Sequence, residues 1–169
     1  KRWLNVPETL VHSSNIVTAR IADDLGRERM EDVFRKLGFG EAPHIELKER
    51  GRPIWPTSWG RATTMTTAYG HGIAVSPLHL ASAYATLVNG GIWRPATLTK
   101  IAPGQAPKGR RVFSLQTSLT MRRLLRMIVT DGTGRKAEAQ GFRVGGKTGT
   151  AEKPGIGGYS KTVNVSTFA

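Results

Sequence analysis

The residues of this chain best suited to chemistry form a short run near its carboxyl end, Lys147-Thr148-Gly149-Thr150. They lie within residues 142–152, whose β-forming side chains predict a strand. Alternate side chains of a strand share a face, so Lys147 points away from Thr148, and Thr150 shares the face of Thr148. Gly149 leaves the backbone bare for a ligand. The run therefore suits an enzyme that binds an anionic acyl substrate along a strand.

Two other interpretations of this run come from the sequence. Residues 141–148 also fit the phosphate-loop pattern G-x-x-x-x-G-K-[ST], which needs a buried strand before it and a helix after it. The preceding residues 135–140 are polar and helix-like, and Pro154 with the glycines around it opposes a following helix. An ordinary edge strand with an isolated lysine is the second interpretation. The flanking sequence disfavours the phosphate loop. Only a second motif elsewhere in the chain can distinguish a binding site from an ordinary edge strand.

A second candidate site lies near the amino end, in Ser13-Ser14-Asn15. It stands between a short helix-like run, residues 6–11, and the apolar start of a predicted helix. The hydroxyl of Ser13 can pass a proton, and the amide of Asn15 can hold a substrate carbonyl and a neighbouring lysine. In isolation, Ser and Asn before a helix are more often helix caps. The pair indicates catalysis only in combination with a second motif.

The two motifs together resemble those of a known family. Ser-x-Asn followed far downstream by Lys-Thr-Gly belongs to the signature of penicillin-binding proteins and serine β-lactamases, whose first motif is Ser-x-x-Lys. The sequence resembles the penicillin-binding transpeptidases, and more narrowly the class B, division-type enzymes that cross-link septal peptidoglycan. The narrower resemblance is carried by residues 37–40 with 45–47, 68–80 and 83–92, and it extends over residues 1–169. Elongation-type relatives tend to have Ser-x-Asp, which favours division.

The resemblance implies a fold and an activity. The fold is α+β, of the β-lactamase/transpeptidase type, with helices flanking an antiparallel sheet and a mostly helical lobe. The implied activity is D,D-transpeptidation, which cross-links stem peptides ending in D-Ala-D-Ala through a serine acyl-enzyme intermediate. The enzyme is inhibited by β-lactam antibiotics and uses no cofactor. A β-lactamase or D,D-carboxypeptidase, and a non-catalytic β-lactam sensor or scaffold domain, are the alternatives. Divisome membrane proteins are the implied partners, and the full-length protein is expected to have a single-pass anchor in the inner membrane and a periplasmic catalytic domain.

The resemblance also implies the roles of individual residues. The expected catalytic residues are Ser13, Asn15 and Lys147, and the expected substrate-binding residues are Thr148, Gly149 and Thr150. Ser13 relays a proton to the leaving amine, Asn15 holds the donor amide, and Lys147 sets a positive local potential. Thr148 and Thr150 hydrogen-bond a carboxylate of the donor or of a β-lactam. The backbone N–H of Thr150 is one arm of an oxyanion hole.

One motif of the signature is absent from the sequence given. No serine is followed by lysine three residues later, and Thr97 with Lys100 has the spacing but the wrong hydroxyl and the wrong place in the order. We therefore expect residues 1–169 to be a partial transpeptidase domain, without its amino-terminal Ser-x-x-Lys part and the last part of its sheet. The missing part of the same domain is then an expected partner.

Composition limits the other classes of function. The 169 residues suit one domain, and the absence of cysteine excludes disulfides and thiolate metal sites. The histidines His12, His44, His71 and His79 lack ligand spacing, so no metal site is expected. The sequence shows no signal peptide and no long apolar run. The chain has a net charge of +13, but its basic residues are scattered, so we expect no nucleic acid partner and a surface facing anionic lipids and wall polymers.

Periodicity and turn residues predict the remaining elements. Helices are predicted over residues 16–25, 27–37, 76–88 and from 114 or 118 to 129, strands over 95–101 and 161–168, and turns at 103–109 and 155–158. The predicted buried stripes are Leu80, Tyr84, Leu87 and Val88 in the third helix and Met121, Leu124, Leu125 and Ile128 in the fourth. Residues 69–72, Tyr-Gly-His-Gly, predict either a tight backbone crossing or a support beneath the site.

Overall fold

The computed structural model describes residues 3–155 and 158–169. Within these residues the elements follow the order α1 (Val6–Val11), α2 (Asn15–Leu25), α3 (Arg27–Lys36), α4 (Arg61–Thr67), α5 (Pro77–Val88), β1 (Ile92–Trp93), β2 (Arg110–Arg111), α6 (Leu115–Asp131), β3 (Thr148–Gly155) and β4 (Gly158–Phe168). A 3-10 turn, Arg135–Ala137, follows α6. The chain divides into two compact units, Lys1–Ser14 with Arg123–Ala169, and Asn15–Arg122.

The first unit contains α1, the second half of α6, and an antiparallel pair of strands. β3 and β4 pair in a register that places Thr148 opposite Phe168 and Thr150 opposite Ser166. Its buried side chains come from the two helices: Thr9, Val11, Leu125, Ile128 and Val129. Both halves of the predicted α+β fold, helices and an antiparallel sheet, are therefore present in the unit that carries the lysine motif.

The strand of the lysine motif begins at Thr148, so the prediction that it begins at residue 142 is wrong. The chain before it is drawn onto α6, where the Gly146 N–H donates to the Leu125 carbonyl over 3.1 Å. A Cβ on Gly146 would lie 2.5 Å from the Phe168 ring, and one on Gly145 would lie 3.2 Å from the backbone nitrogen of Arg126. Two glycines thus let the backbone pass between α6 and the end of β4.

This close packing predicts the effect of a single methyl group. We expect Gly146→Ala to destabilise the domain by about 1–3 kcal/mol, because the added Cβ must displace an aromatic ring and a backbone carbonyl. Thermal unfolding measures the loss. Gly51→Ala is the control, because a Cβ there would have no neighbour within 4 Å. An equal melting temperature for the two variants would show that the packing at Gly146 is looser than the structure indicates.

The second unit is mainly helical. Arg61 of α4 forms a two-pronged ion pair with Asp23 of α2, at 2.8 and 2.7 Å. These hydrogen bonds hold the pKa of the Asp23 carboxyl below its usual value. Trp59 is buried and packs against Phe34 and Trp55, with ring centroids 6.1 and 5.2 Å apart. The tryptophans of the proline-rich segment therefore provide core for a unit whose helices bury few aliphatic side chains.

His79 fixes the start of α5. The backbone N–H of Ser76 donates to its Nδ1 over 3.2 Å, and its Nε2 lies 2.9 Å from the Glu41 carbonyl. A backbone N–H can only donate, so Nδ1 is the acceptor and Nε2 carries the proton that is given to Glu41. The buried imidazole thereby ties the loop at residue 41 to the first turn of the helix.

The helix predictions are confirmed in position but not in every buried face. The predicted helices at residues 6–11, 16–25, 27–37, 76–88 and from 114 or 118 to 129 correspond to α1, α2, α3, α5 and α6, of which the last begins at Leu115. The return strand corresponds to β4. The stripe predicted for α5 is wrong, since its buried residues are His79, Ala83 and Thr86. In α6, Leu125 and Ile128 are buried as predicted, while Ser118 and Val129 are buried in place of the other two.

Two local predictions need correction, and one lies outside the described residues. Residues 95–101 form no strand, because the Glu46 carboxylate accepts hydrogen bonds from the Thr97 hydroxyl and the Leu98 N–H. Gly70 and Gly72 have φ of 93° and 80°, but a Cβ on either would have no neighbour within 4 Å. They serve a turn rather than a backbone crossing. The predicted turn at residues 155–158 includes undescribed positions and stays a prediction.

Candidate functional site

The backbone of Ser13 is held in an unusual conformation by the end of α1. Its φ is +54°, the one positive value among the described residues other than glycine. The Ser14 N–H donates to the Thr9 carbonyl and the Ser13 N–H to the Leu10 carbonyl, over 3.0 and 3.2 Å. This pattern is a Schellman motif, whose left-handed position usually carries glycine. A serine there holds a strained backbone of the kind that concentrates at functional sites.

Helix α1 is short but is fixed at both ends and along one side. Asn5 and Glu8 form a capping box at its start, with hydrogen bonds of 2.8 and 3.1 Å. Val11 is buried, and a Cβ on Gly132 would lie only 2.7 Å from the Val11 carbonyl oxygen. The glycine after α6 therefore permits close contact with the end of α1. These contacts set the position from which Ser13 projects.

The Lys147 ammonium meets the Ser13 hydroxyl directly. Nζ donates to Ser13 Oγ over 2.7 Å and to the Thr148 carbonyl over 2.7 Å, across 134 residues of sequence in the first case. Desolvation lowers the pKa of Lys147, because partial burial penalises the charged form. The Lys147 ammonium is therefore a stronger acid than that of an exposed lysine, and one of its N–H groups donates a hydrogen bond to the Ser13 hydroxyl.

This pair has the geometry of a proton relay. Since Lys147 donates to Ser13 Oγ, the serine's own hydrogen is directed to another acceptor. A leaving amine placed beside Ser13 can take that hydrogen while Lys147 replaces it. Each transfer needs only a hydrogen-bonded distance, and the lowered pKa of Lys147 eases the second. The arrangement can therefore act as a general acid through two groups that the sequence places at opposite ends of the chain.

The outer edge of β3 is free to bind an extended ligand. Lys147 and Ala169 exchange two backbone hydrogen bonds, of 2.7 and 3.2 Å, so they form a hydrogen-bonded pair. Such pairs alternate along antiparallel strands, so Thr148 and Thr150 occupy the positions whose N–H and C=O groups point away from β4. Within the described residues, no strand pairs with β3 on that side. The Thr150 N–H therefore points away from β4, with no strand of the described residues paired to it.

Two neighbours define the roles that Thr148 and Gly149 can have. The Thr148 hydroxyl lies 2.9 Å from the Thr133 hydroxyl, so one of the two donates to the other. A Cβ on Gly149 would lie 2.7 Å from Thr167 Oγ1. The bare position that we interpreted as room for a ligand is thus occupied on one face by a hydroxyl of β4. Close pairing of the two strands is a second reason for glycine there.

The structure brings some of the predicted site residues together and adds Thr133 to them. Ser13 and Lys147 are in contact, while Asn15 is the first residue of α2 and belongs to the second unit, so its role stays a prediction. Thr133 was missed because its loop reads only as a helix stop. In the part of the chain that the structure describes, no three acidic or histidine side chains are grouped as metal ligands, and no helix is long and apolar enough to span a membrane.

Comparison with protein families gives a match over the whole chain. The family described as the penicillin binding protein transpeptidase domain matches residues 1–169. A protein of Caulobacter vibrioides described as a probable peptidoglycan D,D-transpeptidase FtsI is 44% identical, over 100% of this chain and 30% of its own length. The peptidoglycan D,D-transpeptidase FtsI of Escherichia coli K12 is 32% identical, over 92% of this chain and 26% of its own length.

Solved structures give the same result for the fold. The apo transpeptidase domain of Burkholderia pseudomallei penicillin-binding protein 3 has a TM-score of 0.92 and 34% identity, covering 98% of this chain and 51% of that one. Penicillin-binding protein 3 of Mycobacterium tuberculosis complexed with aztreonam has a TM-score of 0.87 and 30% identity, covering 97% and 41%. The transpeptidase-like α+β fold is confirmed. The chain spans about a third or less of the length of the curated relatives described above.

Proposed function

This chain belongs to the family of penicillin-binding protein transpeptidase domains, and we propose that the full-length protein is a division-type peptidoglycan D,D-transpeptidase. The observation that carries the proposal is the 2.7 Å contact between Lys147 Nζ and Ser13 Oγ, which joins the two motifs of the predicted signature. The names of the relatives from Caulobacter and Escherichia support division rather than elongation. The chain given is part of that domain, and the rest supplies the serine and lysine of the Ser-x-x-Lys motif.

The first step forms an ester on that serine. Its oxygen attacks the penultimate carbonyl carbon of a stem peptide ending in D-Ala-D-Ala, with the motif lysine as base. The bond to the terminal D-Ala nitrogen then breaks. That nitrogen takes the hydrogen of Ser13, and Lys147 replaces it. The free edge of β3 holds the donor in an extended form, and the Thr150 N–H stabilises the oxyanion.

The second step transfers the acyl group to an amine of a neighbouring stem peptide. The amine nitrogen attacks the ester carbonyl, the bond to the serine oxygen breaks, and the proton of the amine returns through the same groups. Thr148 and Thr150 bind the terminal carboxylate of the donor, and in a β-lactam complex they bind the ring carboxylate. Asn15 holds the donor amide. One relative in this family was solved with aztreonam and with ampicillin, which supports β-lactams as ligands of this site.

Labelled penicillin tests the proposal in the full-length protein. In a transpeptidase, water hydrolyses the ester between penicillin and the serine only slowly. We therefore expect a covalent adduct that survives for many minutes. Intact mass and gel fluorescence measure it. Rapid release would indicate a β-lactamase or carboxypeptidase instead. A stable adduct without any cross-linking of donor and acceptor peptides would indicate a sensor or scaffold domain.

The contact between Thr133 and Thr148 makes a further prediction. We expect Thr133→Val to weaken binding of the carboxylate of penicillin by roughly tenfold, because a hydrogen bond that orients the Thr148 hydroxyl contributes about 0.5–1.5 kcal/mol. Thr133→Ser keeps the hydroxyl and is the control, which we expect to bind like the wild type. The concentration dependence of acylation gives the binding constant. Equal binding by the valine variant would remove Thr133 from the site.

Location and partners are part of the same proposal. The full-length protein is anchored in the inner membrane by a single span, and its catalytic domain lies in the periplasm, where peptidoglycan is assembled. Its partners are the stem peptides and the membrane proteins of the division complex. The net charge of +13 suits a domain that works beside anionic lipids and wall polymers. Fractionation of cells and fluorescence at the septum test this placement.

A further inference from the structure

Arg126 of α6 holds the segment that leads into the lysine motif. Its Nη1 and Nη2 donate to the Glu138 carboxylate over 2.6 and 3.1 Å, and Nη1 also donates to the Val144 carbonyl over 2.8 Å. A guanidinium and a carboxylate joined by two hydrogen bonds form one of the strongest polar contacts in proteins. Arg126 thereby fixes both ends of residues 138–144 to one point on the helix.

The side chains of the segment give it little other support. Residues 138–143 are all exposed, and Phe142 is 74% exposed. Burial of side chains therefore contributes little to its position. Two neighbouring hydrogen bonds attach the end of the segment to α6. Arg126 binds the Val144 carbonyl, and two residues later the Gly146 N–H donates to the Leu125 carbonyl.

The held segment ends at the reacting pair. Lys147 follows Gly146 directly, and its N–H donates to the Ala169 carbonyl over 2.7 Å. Its Nζ reaches Ser13, whose backbone is held by the hydrogen bonds at the end of α1. A shift of the segment along α6 would therefore change the Nζ to Oγ distance. Misplacement by about 1 Å at a reacting group can cost on the order of a hundredfold in rate.

We propose that Arg126 is a positioning residue for the lysine–serine pair: by holding residues 138–146 against α6, it places the Lys147 ammonium on the Ser13 hydroxyl. The effect on rate rests on the proposed function, while the effect on the backbone does not. A simple stabilising ion pair at the surface contributes little and leaves chemistry unchanged. Here the guanidinium also binds a backbone carbonyl, which couples the charge pair to the path of the main chain.

Hydrogen exchange in the full-length protein tests the structural half. In Arg126→Gln we expect the amides of Gly146 and Lys147 to exchange about 10–100-fold faster, the range that loss of a charge-assisted hydrogen bond allows. Arg126→Lys keeps the positive charge but cannot donate two parallel hydrogen bonds as a guanidinium does, so we expect an intermediate exchange rate. Arg123→Gln is the matched control, because Arg123 is exposed on the same helix and its side chain forms no hydrogen bond or ion pair with another described residue. Unchanged exchange in Arg126→Gln would overturn the proposal.

Acylation by penicillin tests the catalytic half. We expect Arg126→Gln to slow the chemical step about 10–100-fold and to leave the initial binding constant nearly unchanged, with partial recovery in Arg126→Lys. Glu138→Gln should also slow the chemical step, since it removes the carboxylate charge that binds the Arg126 guanidinium. Faster exchange with an unchanged acylation step would also overturn the proposal, because Arg126 would then be structural alone. If the wild type forms no adduct, the proposed function fails, and hydrogen exchange still decides whether Arg126 holds the segment.

Discussion

Lys147→Ala in the full-length protein is expected to slow acylation by penicillin about 10²–10⁴-fold, the range for loss of a group that takes part in proton transfer. The alanine removes both hydrogen bonds of the ammonium, to Ser13 Oγ and to the Thr148 carbonyl. The leaving nitrogen then has no donor that can be replenished. Stopped-flow fluorescence with a labelled penicillin measures the rate of the chemical step.

Lys153→Ala is the control for this variant. It removes the same charge from an exposed position on β3, the strand that Lys147 directly precedes. We expect its acylation rate to equal that of the wild type within about twofold, because exposed charges are strongly screened by solvent and salt. If both variants lose the same amount of activity, the general positive potential of β3 matters and the contact with Ser13 does not.

Replacement of Ser13 is the second change with a large expected effect. We expect Ser13→Gly to slow acylation about 10²–10³-fold, because the hydroxyl that passes the proton is absent. Glycine accepts a φ of +54° without the strain that serine bears, so this variant should be as stable as the wild type or more so. Loss of activity with unchanged or raised stability separates a chemical role from a structural one. Thermal unfolding and acylation rates together give this result, and a Ser13→Gly variant with full activity would exclude the relay.

The relay also predicts how the two changes combine. Ser13 and Lys147 act on one proton, so removing both should cost little more than removing the one with the larger effect. Two independent groups would instead give the product of the two effects. A double-mutant cycle on the acylation step measures the difference. Full additivity would mean that the 2.7 Å contact has no part in the reaction.

The fold could be predicted from the sequence where local signals were strong. Ser76 and Pro77 indicate a helix start, and the structure shows Ser76 as the cap of α5 and Pro77 as its first residue. The error at residues 95–101 has a distant cause, because Glu46 takes the polar groups that a strand would have used. A local pattern of alternating apolar residues cannot predict a hydrogen bond to a carboxylate that lies 51 residues earlier in the sequence.

The candidate site was predictable only in part. The contact of Ser13 with Lys147 was expected from the resemblance, since no periodicity links residues so far apart in sequence. Gly145 and Gly146 were expected to lie in a strand, yet their small size lets them pack on α6 instead. Arg126 was counted as one of many scattered charges. Its function depends on the position of Glu138 and Val144, which only tertiary structure provides.

The pH dependence of acylation tests the central claim most directly, because the relay requires a protonated Lys147. Desolvation lowers the pKa of this lysine, so it loses its proton at a lower pH than an exposed lysine. The acylation rate of the full-length protein should therefore fall at the alkaline end of its pH profile, at a pH below the ordinary lysine pKa of about 10.4. In Lys147→Arg the charge persists at every accessible pH, and the alkaline fall should disappear while the rate stays low throughout. An arginine variant with the same alkaline midpoint as the wild type would assign that fall to another group and contradict the relay.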